Sequence, residues 1–420
     1  MKDGRHLSHF GMSNSNWLEH PNPKHTSFPV HGTSQVTALI LWKTTSSINN
    51  NHSSTSTYNI ITASDDHTIH IHSPSGHLLQ SLEGHTGGVW ALSLHSDSRT
   101  LVSGSTDKST RIWDLHTGHC THIFRRHTST VRCQAIAQDS VDVDSNGELL
   151  LPNGPLIVTG SRDKTLCVWR LPKPGDREHK DVEEEEEEGS DNPYYVFRAK
   201  GHEDTIRSVS AYGRTAASAS YDHTVRVWDL ITQQCLHILK GHTHQGSFGR
   251  FPPMIYVNPP LTPPPVVYSV ILDPTRDQVY SASMDSTVRI WDLKKDGGTC
   301  KHILARHSSL VGVLSLSPSF LISGAADGLL CIWDPRTGDL VHSSEQNDSV
   351  VTAIQHDDNK ALSGSDGLVR VHDIKSGKVR DLWNEKKRGC WVVSRLAYGG
   401  SLCVVATKDN KSFIDVWDFR

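Results

Sequence analysis

An all-β fold, eight blades arranged as a β-propeller, is predicted from three observations on the 420-residue sequence. A unit recurs along the chain with a period of about 40 to 45 residues, the spacing of a propeller repeat. Each unit reads as a Gly-His turn, an alternating apolar strand, a second strand ending in Ser-Gly-Ser-x-Asp or a variant, and a third ending in Ile-Trp-Asp. One such unit is a small sheet that cannot cover its own faces, so the units must pack side by side around an axis.

The clearest copy runs from Gly84-His85-Thr86-Gly87-Gly88-Val89-Trp90 through Ser103-Gly104-Ser105-Thr106-Asp107 to Ile112-Trp113-Asp114-Leu115. It is a WD repeat. His85, Ser103, Asp107 and Trp113 are spaced to form a hydrogen-bond chain from turn to strand to turn to indole, satisfying polar groups that blade packing would otherwise strand. A His and an Asp that recur together resemble catalytic machinery, but their recurrence in nearly every unit makes them scaffold. No nucleophile, metal set or carboxylate pair stands apart from this framework, so no enzyme activity and no cofactor are expected.

Residues 1 to 25, rich in His, Asn, Ser and Gly, have the composition of a disordered tail; the propeller is expected over 26 to 420. Blade 1 begins at Val36-Thr37-Ala38-Leu39 and is degenerate, with His31-Gly32 inverting the Gly-His order and His72 replacing the Trp. Blade 2 is the clear copy above. Blade 3 runs from His127 to Trp169, blade 4 from His202 to Asp229, blade 5 from His242 to Asp292, and blade 6 from His307 to Asp334. Blade 7, around Ser363-Gly364-Ser365-Asp366 and Val371-His372-Asp373, lacks both the leading His and the Trp. Blade 8 ends at Val416-Trp417-Asp418-Phe419, one strand short. The extended segment Phe28-Pro29-Val30 is expected to supply that strand, since the third strand would otherwise be an open edge.

Composition is that of an ordinary globular chain, 36% hydrophobic and 21% charged. A net charge of −4 and a pI near 6.7 give no global basic field for nucleic acid or a membrane surface. The eight cysteines occur singly, never as C-x-x-C, which supports neither a zinc site nor a disulfide framework. No apolar run reaches membrane length and no leader is evident, so nucleus or cytoplasm is the expected location.

Four insertions interrupt the pattern. Those at 44–56, 137–154 and 172–192 belong to connections on the bottom face; the last contains the acidic run Glu183 to Glu188, read as a solvated loop. The fourth, 244–265, precedes the first strand of blade 5 on the top face and is rich in proline. It contains Pro260-Leu261-Thr262-Pro263, an apolar pair followed by Thr-Pro. Phosphorylated Thr262 could occupy a neighbouring anion site as a tethered pseudo-substrate; a plain solvated loop is the simpler reading.

Two positions per blade are expected at the top rim, one five residues after the leading His and one just before the turn Asp. Blades 2, 3 and 4 place there Trp90 and Thr106, Arg132 and Arg162, and Arg207 and Tyr221. Three arginines and two aromatics thus gather on adjacent blades. The guanidinium fork matches phosphate oxygens two at a time, and a phosphate of charge about −1.5 to −2 would offset the mutual repulsion. The alternative is that each arginine pairs with a turn carboxylate of a neighbouring blade.

The runs Gly-Gly-Val-Trp-Ala-Leu at 87–92, Ser-Gly-Ser-Thr-Asp-Lys at 103–108, Ser-Thr-Val-Arg-Cys at 129–133, Thr-Gly-Ser-Arg-Asp-Lys-Thr-Leu at 159–166 and the stretch 281–293 closely resemble the F-box/WD-repeat substrate receptors of SCF ubiquitin ligases. The resemblance covers about 28 to 420. It implies a propeller that binds phosphorylated Ser/Thr-Pro motifs and directs their proteins to ubiquitin-dependent degradation. On that resemblance Arg132, Arg162 and Arg207 match phosphate-binding arginines, Trp90 and Thr130 match the wall around the proline and apolar residues, and Tyr221 matches a peptide-contacting tyrosine. Thr106 stands at the same rim. Lys108 replaces a further pocket arginine, and the rim arginine of blade 5 falls at Val266. The matching runs include no F-box, so SCF components are expected as partners only where an F-box is supplied elsewhere. A WD scaffold that assembles a complex without phosphate recognition is the alternative function.

Overall fold

The structure is a computed structural model that describes residues 23–46, 55–97, 99–138, 154–181, 192–243, 265–294, 297–344, 349–384, 392–399 and 401–419. Eight sheets, antiparallel except for one short added strand, follow one another along the chain. Blades 1 to 7 cover 36–82, 89–125, 131–199, 206–239, 267–304, 311–344 and 353–384; blade 8 combines 392–418 with Lys24–Val30. The inner strands of successive blades pack against each other, and that of blade 8 packs against that of blade 1, closing the ring.

The middle strands are small or apolar because they are covered on both faces. Thr100–Ser105, Leu156–Ser161 and Gln278–Ser283 are buried along their whole length. Trp113, Trp169 and Trp291 are among the most deeply buried side chains. Their indole nitrogens are satisfied as the repeat requires: Trp113 Nε1 donates to Ser103 Oγ at 2.8 Å, and His85 bridges Ser103 Oγ and Asp107 at 2.7 Å each. The same arrangement recurs around His127, His202, His242 and His307. Both ring nitrogens of each are committed to scaffold bonds. Burial pushes His85 down, and although burial would raise Asp107, its His85 hydrogen bond holds that carboxyl well below the usual range.

Blades 1 and 7 rebuild this network differently. In blade 1, His31 takes the leading-His role despite the inverted order, with Nδ1 2.9 Å from Asp66 and Nε2 2.9 Å from Thr62. A positive φ at His31 and at Gly32 turns the chain so that the imidazole reaches inward. In blade 7, His372 Nε2 takes the tryptophan's place, 2.7 Å from Ser363 Oγ.

The segment before blade 1 pairs with the last strand of blade 8, from Lys24 opposite Asp418 to Val30 opposite Ser412. It starts two residues earlier than the sequence suggests. Phe28 and Val30 are buried, and His25 stacks on Trp417 with centroids 4.8 Å apart while its Nε2 lies 3.0 Å from Asp415. Pro29 is tolerated because this is the sheet's outer strand, where a missing N–H costs little.

The bottom insertions are partly ordered into sheet. The ladder of blade 1 extends into the 44–56 insertion as far as Ser46 opposite Thr55. In the 172–192 insertion, His179–Lys180 forms a fifth, parallel strand on the outer edge of blade 2, opposite His122 and Ile123, where a loop was expected. Asp181 locks it, accepting from Arg125 N at 2.8 Å, Asn192 Nδ2 at 3.0 Å and the His179 ring at 2.7 Å. The acidic run Glu183 to Glu188, most of 137–154, and Thr262 with the rest of 244–264 lie outside the described residues. No helix of the described residues is long and apolar enough to cross a membrane.

Candidate functional site

The top rim is built by one device repeated around the ring. The first strand of most blades carries a β-bulge, with register shifts between Val36 and Ala38, Val89 and Ala91, Val131 and Cys133, Ile206 and Ser208, Val267 and Ser269, and Val311 and Val313. A bulge re-aims the unpaired side chain. The bulged residues are therefore Thr37, Trp90, Arg132, Arg207, Tyr268 and Gly312. Beside each lies the residue before the turn Asp, tied by its amide to the carbonyl that precedes the strand. Thr106 N donates to Gly88 O at 2.9 Å, Arg162 N to Thr130 O at 3.0 Å, Tyr221 N to Thr205 O at 2.9 Å and Met284 N to Val266 O at 2.9 Å.

This equivalence corrects the sequence reading of blade 5. Val266 corresponds to Gly88 and Thr130, whose carbonyls take the turn amide, and the rim position belongs to Tyr268. Counting from the leading His fails there because the insertion separates His242 from the strand. Tyr268 lies against Tyr221, with ring centroids 5.9 Å apart, and Met284 of the same blade is 47% exposed beside them. Blades 4 and 5 thus present an apolar and aromatic wall next to the arginines.

The arginines are brought together. Arg132 is half-buried; burial lowers its pKa, and the charges of Arg207 and Arg162 lower it further, against an opposing contribution from Tyr221. The Arg132 guanidinium lies 5.4 Å from the Trp90 ring centroid, a cation–π contact worth about 0.5 to 2 kcal/mol. Among the described residues, none of Arg132, Arg162 and Arg207 forms an ion pair with a carboxylate. The carboxylate-pairing alternative is therefore not what the structure contains. Arg132 Nε, Arg207 Nε and Trp90 Nε1 are buried donors with no hydrogen-bond partner. A buried donor left unmade costs about 1 to 3 kcal/mol. Three of them beside converging positive charge describe a site that gains when an anion with several acceptor oxygens enters.

Thr106 is exposed at the rim, and its hydroxyl sits where a Cβ on Gly87 would fall, which accounts for the glycine at that turn. Thr130 is half-buried at the foot of the Arg162 turn. Lys108 is not in the cluster's interior: it stands exposed at the turn tip with φ of 68°, its amide bonded to Ser105 O at 3.3 Å. Sequence reasoning missed Tyr268 and Met284, and it missed Arg395 on the first strand of blade 8. Burial and the charge of Arg207 hold Arg395 down to about 10. Among the described residues, no group of three or more His, Cys, Asp or Glu is arranged to hold a metal ion.

The WD domain, G-beta repeat family matches residues 76–114, 118–170, 192–229, 262–292 and 298–334. Cell division control protein 4 of Saccharomyces cerevisiae is 35% identical over 384 residues, which is 86% of this chain and 45% of that protein. Its Candida albicans namesake is 36% identical over 86% of this chain and 50% of its own length. WD repeat-containing protein pop1 of Schizosaccharomyces pombe is 34% identical over 99% of this chain and 50% of its own. The chain spans about half the length of these curated relatives. Among solved structures, the computationally designed Ika8 protein superposes with a TM-score of 0.65 at 22% identity, covering 93% of this chain and 98% of that one, a likeness of fold alone. With eight blades, the repeated His-Ser-Asp-Trp network and these relatives, the chain belongs to the WD-repeat family and is a propeller like that of cell division control protein 4.

Proposed function

We propose that this propeller is the substrate-recognition part of an SCF-type ubiquitin-ligase receptor and binds phosphorylated Ser/Thr-Pro motifs on its top face. The observation that carries the reading is the group Arg132, Arg162 and Arg207 on two adjacent blades, with Arg207 and Arg162 close enough to act on the charge of Arg132 and, among the described residues, no carboxylate ion pair on any of the three. A phosphate monoester supplies about −1.5 to −2 of charge and three acceptor oxygens, and each charge-assisted bond to it is worth about 1.5 to 3 kcal/mol. Trp90 on one side and Tyr221, Tyr268 and Met284 on the other would take the proline and apolar residues flanking the phosphate. A Lys or Arg in the peptide would meet like charge at the rim, so the same field disfavours basic sequences. Degradation of the bound protein would need an F-box and the rest of the SCF assembly, supplied beyond the propeller.

The second reading is a scaffold that assembles proteins without phosphate recognition. It is favoured by exposed apolar side chains on the outer strands of blades 4 to 6, Leu236, Ile238, Ile303, Leu340 and Val341. Titration with one Thr-Pro peptide in phosphorylated and plain forms separates the two. At least a thirtyfold preference for the phosphorylated form supports the receptor reading, and equal affinities select the scaffold.

A further inference from the structure

Blade 2 shows strand addition within the chain itself. Its outer strand His119–Arg125 is met in parallel by His179–Lys180, with Lys180 opposite Ile123. Asp181 completes the joint: its amide donates to Ile123 O at 2.9 Å, and its carboxylate accepts from Arg125 N at 2.8 Å. Glu178 ties the other end, 2.9 Å from His119 and 3.3 Å from Lys180. The outer strand of blade 4, Gln234–Leu239, has the same pattern, with Cys235-Leu236-His237-Ile238-Leu239 in the place of Cys120-Thr121-His122-Ile123-Phe124. The register repeats too, Ile123 lying opposite Arg111 and Ile238 opposite Arg226. Among the described residues, however, no strand lies beside Gln234–Leu239.

An outer edge is ordinarily guarded by charge, proline or a covering segment. Gln234–Leu239 carries no Lys, Arg, Asp, Glu or Pro. Leu236 and Ile238 are 47% and 43% exposed on one face, while His237 between them turns against Gly298 of blade 5. In blade 5 the place of Leu236 is held by Lys301, whose ammonium donates to Arg336 O at 3.1 Å, so that edge is guarded. Cations flank the apolar pair of blade 4: Lys240 is exposed just beyond it, and Arg226 lies across from Ile238. Neither forms a carboxylate ion pair among the described residues.

We propose that residues 234–240 form a docking edge for an extended segment of a partner protein, added in parallel and reading apolar-x-apolar-Asp. In the register of the blade 2 joint, the two apolar residues fall beside Leu236 and Ile238. The Asp amide donates to Ile238 O, and its carboxylate accepts from Lys240 N within the field of Lys240 and Arg226. Main-chain bonds supply the affinity and alternate side chains the specificity. The edge is on the outer wall of the ring, and the proposal does not depend on the phosphopeptide reading.

The test uses the full chain and a labelled synthetic peptide of about eight residues centred on Val-Thr-Val-Asp, long enough to add one strand. Three forms are titrated by fluorescence anisotropy: the parent, one with Asp replaced by Asn, and one methylated on the Asp amide nitrogen, which removes the donor to Ile238 O. The parent should bind with Kd below about 1 mM, and either change should weaken it about tenfold, the effect of one lost hydrogen bond to a charged or main-chain partner. The protein variant Ile238→Glu, a change at an exposed side chain, should lose binding by a similar factor with its thermal unfolding unchanged. Ile303→Glu on blade 5 should bind as the unmutated protein does. No binding by the parent peptide, equal binding of the methylated form, or equal binding by Ile238→Glu overturns the proposal. Sedimentation of the chain alone provides the remaining outcome: a concentration-dependent dimer that Ile238→Glu abolishes would assign the edge to a second copy of the chain and overturn the partner assignment.

Discussion

Among the described residues, Arg132, Arg162 and Arg207 hold positive charge together without carboxylate ion pairs, and this has opposite consequences for folding and for binding. Replacing any one with alanine should weaken phosphopeptide binding by about 2 to 5 kcal/mol, because a phosphate oxygen then loses its charged partner in a partly buried site. The same change removes like-charge repulsion from the empty protein, so the melting temperature should hold or rise slightly; anisotropy titration and a thermal scan on the same samples check both. A large fall in melting temperature would mean that the arginines are structural. Ser103 behaves in the reverse way, since its hydroxyl serves both His85 and Trp113. Ser103→Ala should cost about 2 to 4 kcal/mol of stability in denaturant unfolding by stranding two buried groups, with the peptide affinity of the folded fraction little changed. The positions of Trp90, Arg132 and Arg207 were legible in the sequence because the leading His sits a constant five residues away. Tyr268 was not, because an insertion breaks that count, and Arg395 was not, because blade 8 has no leading His to count from.

The closing strand is the element on which the ring depends. Its residues Phe28 and Val30 are buried against blade 8, each worth about 1.5 to 3 kcal/mol. Deleting residues 1 to 31 should lower the melting temperature by roughly 10 °C or more for the loss of these contacts and the strand ladder. An unchanged melting curve would mean that the ring closes without it. The same joint carries a column of imidazoles: His31 stacks on His70 at 4.1 Å, His70 lies 5.7 Å from His72, and Phe28 lies 5.3 Å from His72. Burial, reinforced by neighbouring His31, holds His70 down to about 4 against the pull of Asp66 and Glu83; burial and both other imidazoles do the same to His72. Burial lowers His356 to about 4 and His372 to about 3 as well. A folded value below the unfolded one of about 6.5 means these groups favour folding above that pH and oppose it increasingly as pH falls toward 4. Stability measured by urea unfolding should therefore decline between pH 6.5 and 4, and less steeply in His72→Phe. A slope identical in that variant would remove His72 from the account. The closing strand could be anticipated from a missing strand in the count of blade 8, whereas the parallel strand His179–Lys180 could not. Two residues in a charged insertion carry no strand pattern, and only the unpaired edge of blade 2 and the Asp181 bonds to Arg125 and Asn192 bring them into a sheet.

Across the whole molecule the charge is nearly balanced, −4 over 420 residues, so the cationic top face is a local field and not a property of the protein as a body. Peptide affinity should accordingly fall several-fold between 50 mM and 500 mM salt through screening of exposed Arg162 and Lys108, yet level off where half-buried Arg132 and Arg207 are shielded from salt. Affinity independent of salt would argue against a phosphate site. What the sequence by itself determined is everything that repeats: the all-β class, the number of blades, the His-Ser-Asp-Trp network and the rim positions of blades 2 to 4. Repetition makes those features legible because each copy solves the same local problem of covering a sheet and satisfying an indole. The tertiary structure alone decided what depends on one element meeting another, namely the lack, among the described residues, of a carboxylate ion pair on the three arginines, the Tyr221–Tyr268 wall, and the insertion strand on blade 2. These contacts join residues tens of positions apart in the chain through the packing of one blade on the next or onto an open edge, and no spacing along the sequence encodes them.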